Sequence, residues 1–449
     1  MDSKDFTISL SYRSEYVSDR ASVIERETGK MEMWNVLSDL WEPKDNPDGI
    51  VNLGMAQNWL LRDIVLQRIR YSFDPPSSAL TYTEGTTGSK RLKDAMSKFI
   101  NHHFFPSKRV LPEHVSVTNG TTSALEHISW ALADPGEYFL VGQPYYMNFV
   151  ANLTWRFGAR LLTVSFEKDD DRFSEVAVKK YQQALDKAKA EGKKVAGILL
   201  CHPHNPLGRC YPRKVLIGMM KLAQAHRVHI IADEVYALST WENTVDKECA
   251  PANFHSLLSI DPNGIIDGHR VHVVWGMSKD FAAKGLRVGA LISQYNSHLH
   301  NSLIETGYFT MISSFSDHIA VNLLEDEEWL QWYIPEHQRR LSQNYAKTAR
   351  WAQNNGINYV KGANAGLFMF ADLGTKYREI HCISPTLNVT QWVQRALKAK
   401  KVFLSSGDDF GYEKPGWFRI VFCVPDYCLF EGLGRIIEAL NEGWKKNNV

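Results

Sequence analysis

Long hydrophobic runs are missing from this sequence. No apolar stretch approaches the roughly 20 residues that a membrane-spanning helix needs, and the first residues, MDSKDFTISL, lack the basic and apolar regions of a secretory signal. An excess of one charge is also missing, since 51 Lys and Arg against 50 Asp and Glu give a net charge of +1. With no basic block either, we expect no membrane and no nucleic acid as partner, and a cytoplasmic location.

Cysteine is scarce, and its spacing shows no pattern. The six cysteines are scattered without a Cys-x-x-Cys pair, which suits a reducing compartment better than a disulfide framework. His202 and His204 lie close to Cys201 and Cys210, but structural zinc sites use tighter pairs and a second ligand pair elsewhere. We therefore expect no metal site.

Short apolar runs alternate with longer helix-like segments from about residue 90 to residue 300. EYFLVG, KVAGILL, RVHIIA and RVHVVWG are typical of buried β-strands. Such alternation predicts parallel strands joined by crossover helices, and therefore an α/β fold. Tandem repeats are absent, which excludes solenoids and propellers.

The pattern changes after about residue 310. A long polar helical stretch over residues 325–355 precedes NAGLFMFADL and GWFRIVFCV, which favours a smaller α+β lobe. We predict three parts in these 449 residues. They are an N-terminal segment (1–50) that packs with the small domain, a large domain (51–310) and a small C-terminal domain (311–449).

The first candidate site is VTNGTTSALEH, where a strand is predicted to end at Thr118 and a helix to begin after Gly120. Small residues let an anion approach the backbone, and the free amides of Thr121 and Thr122 point at it, as in phosphate sites at helix starts. The alternative is that Gly-Thr-Thr only caps a helix.

A carboxylate is predicted at the carboxyl end of the strand in IIADEVY. Asp233 lies where open α/β sheets place their ligands, and it can keep a pyridine nitrogen protonated, which makes the ring an electron sink. Tyr236 and Asn205, in HPHNPLG, can hydrogen-bond a phenolic oxygen on such a ring. Alternatively, Asp233 caps a helix and Asn205 starts a turn.

Two cationic residues extend this pattern. Lys279, in WGMSKDFAAKGLRVG, follows another apolar strand, and burial with a nearby cation such as Arg287 would lower its pKa and make it a Schiff-base nucleophile. The guanidinium of Arg287 also suits a phosphate. The alternative is a solvated loop of mixed charge.

Arg419 lies within an apolar segment, PGWFRIVF, which is typical of a strand. A buried arginine needs an anionic partner. The α-carboxylate of an amino-acid substrate, held bidentately, meets this need, and so does a structural ion pair with a protein carboxylate.

Together and in this order, these motifs resemble the fold type I pyridoxal-phosphate enzymes of the class I/II aminotransferase family. ALADPGEYFLVGQPYYMNF, HNPLG, ADEVY, SKDFAAKGLRVG, NAGLF and PGWFRI are most similar to 1-aminocyclopropane-1-carboxylate synthase and its fungal-type relatives. The resemblance implies a mostly parallel seven-stranded sheet between helices, a smaller α+β domain, pyridoxal 5'-phosphate as cofactor, and a homodimer with its active sites at the subunit interface.

The resemblance also implies residue roles. Lys279 would carry the cofactor as a Schiff base, with Asp233 and Tyr236 as its catalytic companions. The cofactor-binding residues would be Gly120, Thr121, Thr122, Tyr146, Asn205, Asp233, Tyr236, Ser278, Lys279 and Arg287. The substrate side would be formed by Arg419, Gln57, Tyr145, Asn205 and Tyr82. Within the Tyr145-Tyr146 pair, Tyr146 is expected to stack on the cofactor ring.

Departures from the family pattern concern the substrate. The synthases' Ala-Glu-Asn-Gln is here Ala56-Gln57-Asn58-Trp59, so S-adenosylmethionine is disfavoured as a substrate. The family's Tyr-His-Gly is here Thr-Thr-Gly (86–88), which leaves Tyr82 as the nearest aromatic residue. Gly276 replaces a serine that binds phosphate in many relatives. Residues 301–316 contain no Lys or Arg, which disfavours a dicarboxylic substrate.

Three reactions share removal of the α-hydrogen from the bound amino acid. Cleavage of a carbon–sulfur bond, as in fungal synthase-like lyases of secondary metabolism, is favoured over transamination, and cyclopropane formation comes third because of Gln57. Three aromatic residues favour a substrate with a bulkier or less charged side chain, namely Trp59, Tyr145 and Phe315. An equal alternative is that these residues only form part of the hydrophobic core. A hypothesis of another class is an inactive binding or regulatory homologue.

Overall fold

The computed structural model describes residues 16–28, 33–82, 84–384 and 386–443. Fifteen α-helices lie within these ranges. They are α1 (Asp19–Thr28), α2 (Met33–Ser38), α3 (Arg62–Ser72), α4 (Lys90–His103), α5 (Gly120–Leu132), α6 (Asn148–Thr154), α7 (Glu175–Ala190), α8 (Arg213–His226), α9 (Met277–Asp280), α10 (Ser297–Thr306), α11 (Ser314–Leu324), α12 (Glu327–Asn354), α13 (Leu373–His381), α14 (Thr390–Ala399) and α15 (Asp426–Glu442).

The same ranges contain 13 strands. They are β1 (Val51–Asn52), β2 (Val115–Asn119), β3 (Tyr138–Gly142), β4 (Arg160–Val164), β5 (Val195–Cys201), β6 (His229–Asp233), β7 (Val271–Gly276), β8 (Val288–Ile292), β9 (Asn358–Tyr359), β10 (Phe368–Asp372), β11 (Val402–Phe403), β12 (Ser405–Ser406) and β13 (Trp417–Val421).

A seven-stranded sheet forms the centre of the larger part, in the order β2-β8-β7-β6-β5-β3-β4. All neighbouring strands are parallel except for the pairs that β8 makes with β2 and β7, which are antiparallel. The prediction of a mostly parallel α/β sheet is confirmed. Because helices cover both faces, the central strands are almost entirely buried, and β7 is buried along its whole length.

A smaller antiparallel sheet, in the order β12-β13-β10-β9, forms the second lobe. The long helix α12 packs beside it, and its buried face shares one apolar core with both central strands. In β13 the alternate residues Phe418 and Ile420 are fully buried in this core. Arg419, which points the opposite way in a strand of period two, is therefore directed away from it.

The N-terminal residues approach the small lobe at β11. Val51 pairs with Val402, the Arg435 side chain donates to the carbonyl of Gly49, and the ring of Trp41 lies 6.2 Å from that of Tyr427. Residues 1–15 of the predicted N-terminal segment lie outside the described residues. Helix α11, just after the predicted boundary at residue 310, packs against α3 and α4. The two boundaries between the predicted parts stay predictions.

None of the helices in the described ranges is both long enough and apolar enough to cross a membrane.

Candidate active site

Parallel strands bring three of the predicted residues to one edge of the large sheet. β5 ends at Cys201 and β6 at Asp233, which are register partners, and β7 ends just before Lys279. Asn205 follows β5 by four residues, so its side chain reaches the same edge. Ligands bind outside the carboxyl ends of strands in such sheets because the loops there diverge and leave a cleft.

Lys279 is held with its amine partly dehydrated. Its Nζ donates a 2.6 Å hydrogen bond to the carbonyl of Ala56. Burial, together with the nearby charges of Lys284 and Arg419, lowers the pKa of Lys279 to about 7. Arg287 was expected to be the neighbouring cation, and the structure differs on this point because Arg287 faces Lys284 and the start of α5. An amine with a pKa near neutrality is unprotonated often enough to attack a carbonyl.

Asp233 is 3% exposed. Burial raises the pKa of its carboxyl group to about 7, while the Val235 amide, which donates to Oδ1 at 3.3 Å, and the charge of Lys279 both oppose this shift. Its carboxylate therefore favours a cationic partner, because an unpaired buried charge is costly. The cleft contains Lys279 on the same edge of the sheet.

Arg419 reaches the cleft from β13 and is 3% exposed. Its Nη1 donates to Oδ1 of Asn205 at 2.9 Å, and its Nη2 donates to the carbonyl of Gly54 at 2.7 Å. The third nitrogen, Nε, is buried without a hydrogen-bond partner. Among the described residues Arg419 forms no ion pair, so the structural ion pair that the sequence left open is not what occupies it. A buried guanidinium with an unpaired N–H fits an incoming carboxylate.

The first turn of α5 forms a shallow cradle with Arg287. Nη2 of Arg287 donates to the carbonyl of Asn119 at 3.2 Å, and a Cβ on Gly120 would lie only 2.2 Å from this nitrogen. A Cβ on Gly289 would lie 2.5 Å from the amide nitrogen of Thr121. The helix begins at Gly120 itself and the strand ends at Asn119, each one residue away from the position predicted. Free amides, a cation and missing side chains together suit a phosphate.

Gly276 is constrained by the same cradle. A Cβ there would lie 2.8 Å from the carbonyl of Val288 and 3.0 Å from Cγ2 of Thr121, so the serine of many relatives would not fit this backbone. Ser278 lies two residues further along in α9 and is 7% exposed. Thr122 is exposed in the first turn of α5.

The two adjacent tyrosines have different surroundings. Burial raises the pKa of Tyr146, whose ring also feels the charges of Asp233 and Arg419, so it lies at the cleft. Tyr145 packs on Gly411, where a Cβ would lie 2.9 Å from its ring, and its amide donates to the carbonyl of Phe410. This difference supports Tyr146 as the residue that stacks on a ligand ring.

Tyr236 and Gln57 border the same cleft. The ring centroid of Tyr236, which is 2% exposed, lies 5.7 Å from Nζ of Lys279. The side-chain oxygen of Gln57 accepts a 3.0 Å hydrogen bond from the indole of Trp59. Tyr82, by contrast, is 84% exposed, and among the residues that the structure describes none links it to the cleft.

His202 and His204 are buried parts of the loop that leads to Asn205. Nδ1 of His202 accepts from the amide of Tyr211 at 3.2 Å, and its Nε2 lies 3.0 Å from the carbonyl of His255. Both ring nitrogens of His202 are therefore occupied by protein groups.

Sequence reasoning missed several residues at the site. The carbonyls of Gly54 and Ala56 bind the two key cations, and Cys423 donates to the carbonyl of Gln57 at 2.9 Å. Backbone carbonyls carry no residue-specific signal in a sequence. The position of residues 54–58 opposite Lys279 arises only from the packing of two segments more than 200 residues apart.

Residues 51–436 match the family model described as "Aminotransferase class I and II". The chain belongs to this family. A "Probable aminotransferase sirI" from Leptosphaeria maculans is 33% identical over 412 residues, which cover 91% of this chain and 95% of that protein. "1-aminocyclopropane-1-carboxylate synthase-like protein 1" from Takifugu rubripes is 32% identical over 441 residues, which cover 96% of this chain and 68% of that protein.

Solved structures of this fold include an aspartate aminotransferase from Thermus thermophilus crystallised with maleate. It superposes with a TM-score of 0.72 at 17% identity, over 95% of this chain and all of the other. An aromatic aminotransferase from Pyrococcus horikoshii gives 0.71 at 19% identity, over 91% and 98% of the two chains. These likenesses establish the fold.

The protein is a pyridoxal-phosphate-dependent enzyme of the class I/II aminotransferase family. The residues present fit this cofactor. The glycine-lined cradle at α5 offers backbone amides and Arg287 to its phosphate. Asp233 is a buried carboxylate that needs a cation such as a pyridinium, and Lys279 has an amine with a pKa of about 7. The unpaired Nε of Arg419 remains for a second anion.

Proposed function

We propose that this enzyme cleaves the carbon–sulfur bond of cysteines that carry a substituent on sulfur. The observation that carries the substrate class, an α-amino acid, is the unpaired Nε of Arg419 beside the amine of Lys279. A carboxylate bound to Arg419 and an amino group directed at Lys279 are two functions that only an amino acid supplies together. The reaction converts R–S–CH2–CH(NH3⁺)–COO⁻ and water into R–SH, pyruvate and ammonium.

Each residue then has a physical task. The guanidinium of Arg419 is fixed by Asn205 and Gly54. A carboxylate that binds to it therefore orients the α-carbon, and little binding energy is lost in rearranging the Arg419 side chain. The amine of Lys279, with its pKa near 7, accepts the α-proton. When bound, pyridoxal phosphate supplies an electron sink for the charge on the α-carbon. Asp233 sustains that sink by holding a proton on the ring nitrogen.

Two features argue against other substrates. Gln57 stands where the synthases have a glutamate, and its side-chain oxygen is already bound to the Trp59 indole at 3.0 Å. A neutral, occupied amide does not replace an anion next to a sulfonium substrate. Residues 301–316 contain no Lys or Arg that could bind a side-chain carboxylate.

Transamination is the second candidate, and a specific observation favours it. The Leptosphaeria maculans relative, at 33% identity, is named a probable aminotransferase. In that reaction the amino group moves to a 2-oxo acid, so both substrates bind through the same Arg419. No sulfur leaves the substrate.

Product analysis distinguishes these reactions. The holoenzyme is incubated with S-benzylcysteine alone, with an amino-acid and 2-oxo-acid pair, and with S-adenosylmethionine. Equal amounts of thiol, pyruvate and ammonium from the first incubation support the proposal. A new amino acid that forms only when a 2-oxo acid is present, without thiol, would replace it with transamination, and the cyclic amino acid from the third would replace it with the synthase reaction.

We also propose that two copies of the chain pair through an exposed apolar surface. Its members, which lie in residues 66–82 and 304–315, are all exposed. They are Leu66, Tyr71, Phe73, Leu80, Tyr82, Ile304, Tyr308, Phe309 and Phe315. The two segments adjoin, since the Phe73 and Phe315 rings lie 5.9 Å apart and Ser314 donates to the carbonyl of Thr81 at 3.2 Å. An apolar surface of this extent marks an interface.

Light scattering, which measures the molar mass of the purified protein in solution, tests this pairing. Phe309→Glu places a charge on a side chain that is 82% exposed within the surface, and we expect it to yield monomers. Phe430→Glu, on α15 and 55% exposed, lies outside the surface and should leave dimers intact. Monomers from the unmodified chain at micromolar concentration would contradict the proposal.

A further inference from the structure

A continuous line of buried hydrogen bonds runs behind Lys279. It joins Asn58, His337 of α12, Ser239 in the loop after β6, and Asp280, the residue after Lys279. These side chains are 4%, 0%, 0% and 1% exposed, respectively. The Asn58 amide lies 3.2 Å from Nδ1 of His337, Nε2 of His337 lies 3.1 Å from the Ser239 hydroxyl, and this hydroxyl donates to Asp280 at 2.6 Å.

The direction of each hydrogen bond follows from the two ends. The Leu60 amide donates to Oδ1 of Asn58 at 3.2 Å, so the Asn58 NH2 group points at His337 and must donate. Nδ1 of His337 is then the acceptor, and Nε2 carries the proton that it donates to Ser239. Burial lowers the pKa of His337 to about 3, so the ring stays neutral in this one tautomer.

The far end of the line is a firmly held carboxylate. Besides Ser239, Asp280 accepts from the Trp275 indole at 3.0 Å and from the Leu238 amide at 3.2 Å. The Tyr333 hydroxyl donates to its backbone carbonyl at 2.9 Å. Because Asp280 and Lys279 are consecutive residues of the four-residue helix α9, fixing Asp280 also fixes the direction in which Lys279 leaves the helix.

The near end of the line is the segment that binds the reactive cations. The Asn58 amide also lies 3.4 Å from the backbone carbonyl of Lys279. Two and four residues before Asn58, the carbonyls of Ala56 and Gly54 accept from the Lys279 amine and the Arg419 guanidinium. Residues 54–58 therefore set the distance between the base and the carboxylate-binding group.

We propose that His337 is a positioning residue for catalysis, which fixes residues 54–58 against α9 and so sets the position of the Lys279 amine relative to Arg419. His337 touches neither amine nor guanidinium and acts through Asn58 on one side and through Ser239 and Asp280 on the other. The inference rests on Lys279 as the cofactor lysine. It does not depend on which bond is cleaved afterwards.

Its location explains why a histidine is useful here. α12 belongs to the second lobe, and Asn58, Ser239 and Asp280 come from three separated segments. An imidazole accepts at one nitrogen and donates at the other, about 2 Å apart, so it joins two groups in a fixed order. A hydrophobic side chain would leave the buried Asn58 amide with only its long contact to the Lys279 carbonyl at 3.4 Å.

The test uses the holoenzyme of His337→Phe. The ring of His337 lies parallel to that of Tyr333 at 6.0 Å, so phenylalanine keeps the packing and removes only the hydrogen bonds. His300→Phe is the matched control, because His300 is also largely buried and has two ring contacts, to Ser116 at 2.7 Å and to the Ser293 carbonyl at 3.0 Å, away from the cleft. The readouts are kcat, KM, the thermal midpoint, and the visible circular dichroism of the bound cofactor.

We expect His337→Phe to lower kcat by about tenfold or more, with a smaller change in KM, since misplaced reacting groups lose rate more than binding. The cofactor's circular dichroism should change in shape, whereas His300→Phe should lower only the thermal midpoint. Equal kcat and equal dichroism in both variants, at similar loss of stability, would overturn the proposal. If the cofactor is not covalently attached in the unmodified chain, the role of Lys279 is refuted instead.

Two further variants decide the matter if His337→Phe does not fold. Ser239→Ala cuts the same line at its next member without changing a ring, and we expect the same fall in kcat. His337→Gln keeps a donor and an acceptor on one side chain, and a kcat between those of Ser239→Ala and the unmodified chain supports positioning. Wild-type kcat and dichroism in Ser239→Ala would overturn the proposal independently.

Discussion

The guanidinium of Arg419 donates a 2.9 Å hydrogen bond to the side-chain oxygen of Asn205, which is 214 residues away in the chain. This bond joins the edge of the large sheet to β13 of the small one. It also leaves Nε of Arg419 without a protein partner, so the group that binds a substrate anion is oriented before substrate arrives. Pre-orientation of this kind lowers the entropy cost of binding.

Arg419→Gln should raise KM for every amino-acid substrate by about 100-fold, because loss of one partner from a buried charge pair costs about 2–5 kcal/mol. Steady-state kinetics measure this change. The variant should keep its cofactor colour, since Lys279 and Asp233, which are assigned to the cofactor, are unchanged. An amine without a carboxylate is the control ligand, and the variant should bind it as the unmodified chain does. An unchanged KM would show that another group binds the carboxylate.

Gly120→Ala should weaken pyridoxal phosphate binding by more than tenfold, that is by about 1.4 kcal/mol or more. The added methyl would meet the Arg287 guanidinium at 2.2 Å and fill the cradle at the start of α5. Gly136→Ala is matched to it, because φ is +91° there against +77° at Gly120, yet nothing lies within 4 Å. Spectroscopic titration measures both affinities.

Only in Gly120→Ala should the loss of affinity be larger for pyridoxal phosphate than for pyridoxal, which lacks the phosphate. The same loss of affinity in Gly136→Ala would mean that backbone strain, and not the cradle, is responsible.

The pH dependence of stability should report on Asp233. Its pKa is about 7 in the folded chain against 3.8 ordinarily, so between these values the folded state holds a proton that the unfolded state has lost. Stability of the cofactor-free protein should therefore fall as the pH rises from 4 to 7, with a contribution of up to roughly 1.4 kcal/mol per pH unit.

In Asp233→Asn this contribution disappears, and the thermal midpoint should fall less over the same range. Asp45→Asn, at an exposed position, serves as the control and should follow the unmodified chain. Parallel curves for all three proteins would contradict the buried, proton-binding environment of Asp233.

Much of the fold could be predicted from local patterns. The runs that indicated strands became β3, β5, β6 and β7, because a strand covered on both faces must be apolar throughout. The antiparallel direction of β8 could not be predicted, since an apolar run has no direction until its neighbours are known. The polar stretch predicted over residues 325–355 is α12, which starts two residues later, where Asp326 caps it.

The candidate site could be predicted where a charged residue stands next to or within an apolar strand. Lys279, Asp233 and Arg419 follow or interrupt apolar strands, and the structure brings them to one cleft. The influence of Lys284 on Lys279 was not predictable, because only two residues separate Lys284 from Arg287 and the turn geometry decides which charge acts on the amine. His337 was not predictable either, since its partners lie 98 and 279 residues away.

Covalent attachment of the cofactor tests the central claim most directly. The holoenzyme is reduced with borohydride, digested and analysed by mass spectrometry, with Lys279→Ala as the control. We predict that one reduced pyridoxal phosphate is bound to the peptide that contains Lys279, and that Lys279→Ala keeps its fold, carries no label and has no turnover. Label on a different lysine, or turnover that survives in Lys279→Ala, would contradict the account.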